Sequence, residues 1–302
     1  VNQGQDIPAL NIPSTLDVQV QPQQKPSYRI HIILFVATVF TTLLAGALME
    51  GAHPIRDPAS IAKGIPFSFT LMAILLTHEM GHYLTAKNYG VPATLPYFIP
   101  APPIPFLIGT FGAFIRMKSP ILTRKAILEI GASGPIAGFV VAIIAVIIGL
   151  NQSQVVSETA SPAALKLGAP LIFDFLNRLL LDVPDGSDVL LHPVAFAGWI
   201  GLFVTALNLI PIGQLDGGHV VYALLGRRHT MVSIGMVGVL LVMGFIGWPG
   251  WYFWAFLTAI LGVRHPPMVD PEVALEPKQK IIGWLSLAIF VLCFTPNPFI
   301  IE

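Results

Sequence analysis

The chain has 302 residues, 54% of them hydrophobic and only 11% charged, with 16 basic and 16 acidic side chains and a formal net charge of zero. Soluble domains carry about 25% charged residues; less than half that fraction leaves too little polar side chain to cover a globule of this size, so the natural solvent for most of the chain is lipid. The balanced charge argues against a nucleic-acid groove, and one cysteine, Cys293, excludes an internal disulfide.

Residues 1–27 are polar and rich in Gln and Pro, which reads as a flexible tail, and 28–302 read as a single membrane-embedded domain. A spanning helix needs about 20 mainly apolar residues. Candidates fall at 30–50, 66–89, 126–150, 193–212, 230–247, 249–263 and 281–296, the last three short, with Pro249 separating two of them as a tight hairpin. The fold class expected is therefore an all-α polytopic membrane protein of six or seven transmembrane helices. Between the second and third spans, residues 91–118 hold Pro92, Pro96, Pro100, Pro102, Pro103 and Pro105 together with Phe98, Phe106, Phe111 and Phe114. That is too proline-rich for a helix and too apolar for a solvated loop. It predicts a membrane-embedded β-hairpin or re-entrant segment whose backbone is covered by protein or faces a cavity. Residues 151–192 read as a loop of about 40 residues, too short for an inserted domain of ordinary size.

Basic residues set the orientation. With the tail on the cytoplasmic side, the inner segments hold Lys25, Arg29, Lys87, Arg116, Lys118, Arg124, Lys125, Arg227, Arg228, Arg264, Lys278 and Lys280; the outer ones hold Arg56, Lys63, Lys166 and Arg178. The bias favours an inner N-terminus. Trp248, Trp251 and Trp254 at the outer turn read as an interfacial belt.

The second span carries His78-Glu79-Met80-Gly81-His82, an H-E-x-x-H pattern. Residues four apart share one face of a helix, so both imidazoles can reach one Zn²⁺, with Glu79 beside them to take a proton from water. Ionisable groups inside a span are costly, which favours function over coincidence. A catalytic zinc normally has three protein ligands and an open fourth position. Asp216 is the candidate third ligand: Pro211, Gly213, Gly217 and Gly218 are expected to break the helix around it, and unwound backbone at membrane depth lines a cavity or is buried. The blander reading is a surface turn aspartate. Depth agrees with the ligand reading. His82 lies eight residues before Gly90, about 12 Å at 1.5 Å per residue, and Asp216 lies near the inner end of the fourth span.

His78-Glu79-x-x-His82 in an apolar helix, followed by Asn208-x-x-Pro211 and Leu215-Asp216-Gly217, resembles the site-2 protease family of intramembrane zinc metalloproteases. The resemblance covers about residues 66–226, taken as the catalytic core. It implies one Zn²⁺ held by His78, His82 and Asp216, Glu79 as general base, and Asn208 as a second catalytic residue holding the substrate backbone or the developing oxyanion. Gly131-x-x-Gly134-Pro135-x-x-Gly138 looks like the family's third-span glycine motif, and 91–118 matches in position a β region that pairs with an extended substrate. The implied activity is hydrolysis of peptide bonds within or next to transmembrane segments, with single-span signalling proteins as substrates. The implied location is a bacterial inner membrane or a plastid-type membrane. Two departures stand out: 151–192 cannot hold the peptide-binding domain of many bacterial members, and Gly213 and Gln214 stand where many have proline.

Among the remaining polar residues, Glu129 is expected to pair with Lys125 one turn away. His219 reads as a helix-start anchor or a support of the metal site. His31, His53, His192, His229 and His265 read as edge or loop residues. A metal transporter is the rival reading, weakened because the candidate ligands lie near one face only. A catalytically inactive relative is a third.

Overall fold

A computed structural model of the chain describes residues 27–103, 108–121, 123–157, 166–184, 186–265 and 274–300. Residues 1–26 of the expected tail, and Pro105 and Phe106 of the proline-rich segment, lie outside them. The order is α1 (Arg29–Met49), α2 (Ile65–Asn88), β1 (Tyr97–Pro100), β2 (Thr110–Phe114), α3 (Arg124–Leu150), β3 (Gln154–Ser157), β4 (Lys166–Leu167), α4 (Leu171–Leu180), β5 (Ser187–Leu190), α5 (Pro193–Leu209), α6 (Asp216–Leu225), α7 (His229–Ile246), α8 (Gly250–Leu261), α9 (Pro277–Cys293) and β6 (Phe299–Ile300).

Among the described residues, four helical stretches are long and apolar enough to cross a membrane: Arg29–Met49, Pro58–Asn88, Arg124–Leu150 and Asp216–Ile246. The fourth of these contains the span expected at 230–247, and the span expected at 193–212 is present as the shorter apolar helix Pro193–Leu209. Helix α5 has 17 residues and ends at Leu209, because Ile210 must adopt an extended conformation ahead of Pro211. It is apolar all round and buried on nearly every side, with Trp199, Ile200, Leu202 and Leu209 almost wholly enclosed, as expected of a central helix. Helices α2 and α3 pack across it. By contrast, Met231, Ile234, Phe245 and Ile246 of α7 are exposed, an apolar surface that fits lipid and not water.

Helix α2 ends where expected: Gly90 has φ +67°, and the Val91 N–H reaches back to the Ala86 carbonyl at 2.9 Å. Beyond it β1 pairs antiparallel with β2, Tyr97 opposite Phe114 and Phe98 opposite Ala113. The pair leans on α1, where Thr41 Oγ1 donates to the Gly109 carbonyl at 2.6 Å.

Several expectations need correction. Residues 151–192 are not a plain loop. They carry helix α4, whose Phe173 and Leu176 are buried, and a β3–β5 pair with Gln154 opposite Leu190. Trp251 is not part of an interfacial belt: it is fully enclosed, its indole N–H donating to the Pro296 carbonyl at 2.6 Å. The C-terminal strand β6 pairs with β4, so this region closes over the tryptophans. Glu129 does not pair with Lys125. It accepts from Gln279 Nε2 at 2.8 Å, and Lys125 reaches Glu276 at 3.6 Å; both partners come from the start of α9, which local spacing cannot reveal. Burial and the neighbouring Glu129 carboxylate also hold the Tyr89 phenol above its usual range.

Candidate metal centre

Helix α2 brings His78 and His82 to the face that meets α3, and glycines let the two helices close. A Cβ at Gly81 would sit 2.7 Å from the Ser133 carbonyl oxygen, and one at Gly138 would sit 3.2 Å from His78 Nδ1. At Gly134 a Cβ would run into the His82 imidazole itself. The small-residue spacing of α3 thus makes room for both rings. On the same helix the Ile130 carbonyl takes a hydrogen bond from His82 Nδ1 at 2.7 Å. A carbonyl can only accept, so Nδ1 carries the proton and Nε2 presents its lone pair.

The third group arrives from α6. The chain leaves α5 at Leu209 and turns through Ile210–Leu215, with Gly213 at φ +55°, and Asp216 opens α6. The break is confined to 210–215. Contrary to the sequence expectation, Gly217 and Gly218 do not interrupt the helix; they lie in its first turn, where a Cβ on either would meet the carbonyls of Leu209 or Ile212. Arg124 at the start of α3 caps the other end of α6, donating to the Ala223 and Leu224 carbonyls at 2.5 and 3.0 Å.

Asp216 Oδ2 lies 3.4 Å from His78 Nε2 and 3.2 Å from His82 Nε2, and the two Nε2 atoms are 3.2 Å apart. Metal–ligand distances of about 2.0–2.1 Å in a tetrahedron require donor atoms about 3.3–3.4 Å apart. The three donors therefore fit a zinc-sized dication, with the fourth vertex left for another ligand. They are the one cluster of this kind among the described residues. His78, Glu79 and His82 are each at most 6% exposed. Glu79 lies beside the Ile115 backbone amide, just past β2, and Asn208 on α5 points Nδ2 at His78 Nε2, 3.3 Å away. All five residues expected at the site thus meet in one place.

The sequence reading missed what holds the turn before Asp216. His229 is buried, and its Nε2 lies 3.1 Å from Ser233 Oγ. Ser233 Oγ donates to the Pro211 carbonyl and accepts from the Gly213 N–H, both at 3.3 Å. His219 Nδ1 lies 2.7 Å from His265 Nε2, and His265 stacks on Tyr222 with ring centroids 4.0 Å apart. His219, three residues after Asp216, offered the only signal; the partners lie too far along the chain. Ser233→Ala is expected to destabilise the protein by about 1–3 kcal/mol, because it strands two buried polar groups. Thermal unfolding in detergent measures this, and an unchanged midpoint would show that Ser233 does not hold the turn.

A profile described as "Peptidase family M50" matches residues 66–246. The chain is 28% identical over 250 residues to "Probable zinc metalloprotease EGY2, chloroplastic" of Oryza sativa subsp. indica, covering 79% of this chain and 45% of that protein. It is 29% identical over 275 residues to the Arabidopsis thaliana protein of the same name, covering 87% and 48%. To "Probable zinc metalloprotease EGY1, chloroplastic" of Arabidopsis thaliana it is 31% identical over 193 residues, covering 62% and 33%. The chain spans about half the length, or less, of these curated relatives. No solved structure matches significantly.

Proposed function

Because the chain belongs to peptidase family M50, we propose that it is a zinc metalloendopeptidase that hydrolyses peptide bonds within or next to the transmembrane segments of other membrane proteins. The observation that carries this reading is the triangle of His78, His82 and Asp216 donors at 3.2–3.4 Å, its two imidazoles buried, with a carboxylate beside it, among helices apolar enough for a bilayer.

When bound, the zinc supplies Lewis-acid polarisation of the scissile carbonyl and activates water. The chain's own residues do the rest. Glu79 accepts a proton from the attacking water and later returns it to the leaving amine. Asn208 donates its amide N–H to the oxygen that gathers charge. A helix hides its carbonyls in its own hydrogen bonds, so the substrate must be extended at the cut. The β1–β2 pair, as a membrane-embedded hairpin, offers a strand edge to hold it. The whole bundle, of six or seven spans with the shorter α5, α8 and α9 included, is read as one membrane-embedded domain. The N-terminus faces the cytoplasm and the metal lies near that face. Single-span signalling proteins are the substrate class, and a plastid-type or bacterial inner membrane is the location.

The test needs no known substrate. Elemental analysis of detergent-purified wild type should find about one zinc per chain, and Asp216→Ala should lose it or hold it much more weakly. Tight zinc in the variant would remove Asp216 from the ligand set. No zinc in folded wild type after adding it back would favour an inactive relative, and zinc flux into liposomes would favour a transporter.

A further inference from the structure

Helix α4 (Leu171–Leu180) carries more apolar surface than the bundle uses. At about 100° per residue, its three polar side chains, Asp174, Asn177 and Arg178, fall in one arc, and the rest of the circumference is apolar. Half of that apolar arc, with Phe173 and Leu176, is buried in the core. The other half is not. Leu171, Phe175 and Leu179 recur every four residues, so they share a face, and they are 59–65% exposed. The polar arc borders this face on one side, where Asp174 and Arg178 pair at 3.0 Å; Ile172 borders it on the other. Around the helix, then, come the bundle, the open apolar face, the polar face, and the bundle again.

Three contacts fix the level of α4 along the spans. Helices α3 and α5 run antiparallel and in register, with Gly149 against Ala195 and Gly198 against Val146. Trp199 is therefore level with Ala145, more than a turn short of the end of α3 at Leu150. The Trp199 indole N–H donates to the Gly168 carbonyl at 2.8 Å, three residues before α4 begins. At that level α3 still presents Ile144 and Ile148, each about half exposed, on a helix long and apolar enough to cross a membrane. The chain thus enters α4 within the band where the neighbouring span shows apolar surface, and not beyond the end of that span. Gly134, which lies against His82, is about 18 Å back along α3 from Val146, so this is the end of the bundle away from the metal centre.

We propose that α4 is an interfacial helix whose partner is the acyl layer of the leaflet at this end of the bundle. Leu171, Phe175 and Leu179 enter the hydrocarbon, while Asp174 and Arg178 stay among headgroups and water. A helix lying in the plane of the interface needs a lipid face and a water face side by side, with the bundle closing the remainder. That is the order found around α4. A protein partner could cover an apolar face at any depth; lipid requires the level that the Gly168 contact gives. The segment 151–192 then belongs in part to the membrane and ties the ends of α3 and α5 to one leaflet. The inference rests on the chain spanning a bilayer and not on its metal chemistry.

Spin labelling of the full chain in phospholipid nanodiscs tests it. Single cysteines are introduced as Phe175→Cys, Leu179→Cys and Arg178→Cys, with Ile234→Cys on the exposed apolar face of α7 as the control for the bilayer. Cys293 is buried, and the chain without an added cysteine supplies the background. Power saturation compares access of oxygen, which enriches in lipid, with that of a nickel chelate, which stays in water. Labels at 175 and 179 should favour oxygen and read about 5–10 Å below the headgroup boundary; the label at 178 should favour nickel. Should Phe175→Cys fail to fold, Leu179→Cys alone must give the lipid reading. Nickel access at 175 and 179 equal to that at 178, with 234 shielded, would place α4 in water and overturn the proposal. Shielding of 175 and 179 from both reagents would mean that a second copy or another protein covers the face, and would overturn the lipid partner. Nickel access at 234 as well would instead overturn the spanning reading on which the proposal rests.

Discussion

Replacing Glu79 with glutamine is expected to leave the zinc content of the purified protein unchanged while lowering peptide-bond hydrolysis by about 10²–10⁴-fold, the usual worth of a positioned base. The amide keeps the volume of the carboxylate but cannot take a proton from water. Glu79 is 6% exposed and is not one of the three clustered donors, so the change touches no proposed ligand. Two measurements separate the roles: zinc per chain by elemental analysis, and cleavage of a single-span reporter in micelles. Persistent cleavage would end the general-base assignment. Joint loss of zinc and activity would make Glu79 a support of the metal instead.

The second large effect lies on α3. Gly134→Ala places a methyl group against the His82 imidazole, and the helices cannot slide apart cheaply, because Gly81 already lies against the Ser133 carbonyl. His82 must then rotate, which breaks its bond to the Ile130 carbonyl, or α2 must withdraw. Either outcome displaces one of three donors, and zinc affinity is expected to fall by about 10–100-fold or more, since loss of a supporting contact alone has that effect. Gly138→Ala should be milder, because its methyl would meet His78 at 3.2 Å, where a small shift suffices. Chelator competition measures both. Wild-type affinity in Gly134→Ala would show that α2 and α3 tolerate more separation than their packing implies.

The long apolar helices were legible because lipid imposes one requirement along 20 residues at a time. The donor set was legible because two ligands sit one helical turn apart and the third occupies a break between helices. What escaped was set by contacts across the sequence. Glu129 and Lys125 look like partners on α3, yet α9 supplies Gln279 and Glu276 to them from about 150 positions away. Trp251 belongs by composition to an interfacial belt, yet the C-terminal residues cover it. His229 reads as an edge or loop residue; it does open α7, but it is buried there and braces the turn before Asp216 through Ser233. Helix α4 is the one miss that the pattern itself carried. Phe173 and Leu176 three apart, with Asp174 and Arg178 paired on the other side at 3.0 Å, form an amphipathic repeat hidden by a segment with no long apolar run.

The candidate metal donors lie on α2 and α6, which leave the ribosome at different times. Ribosomes add about 5–20 residues per second, and 130 positions separate His78 from Asn208, with Asp216 later still. For on the order of ten seconds the nascent chain holds two histidines on one helical turn and no third donor. Such a half-site grips a metal weakly, and the Asn208 amide is not yet present. An unfinished chain thus holds an incomplete donor set, and the three-donor cluster waits until the central helix and its turn are in place.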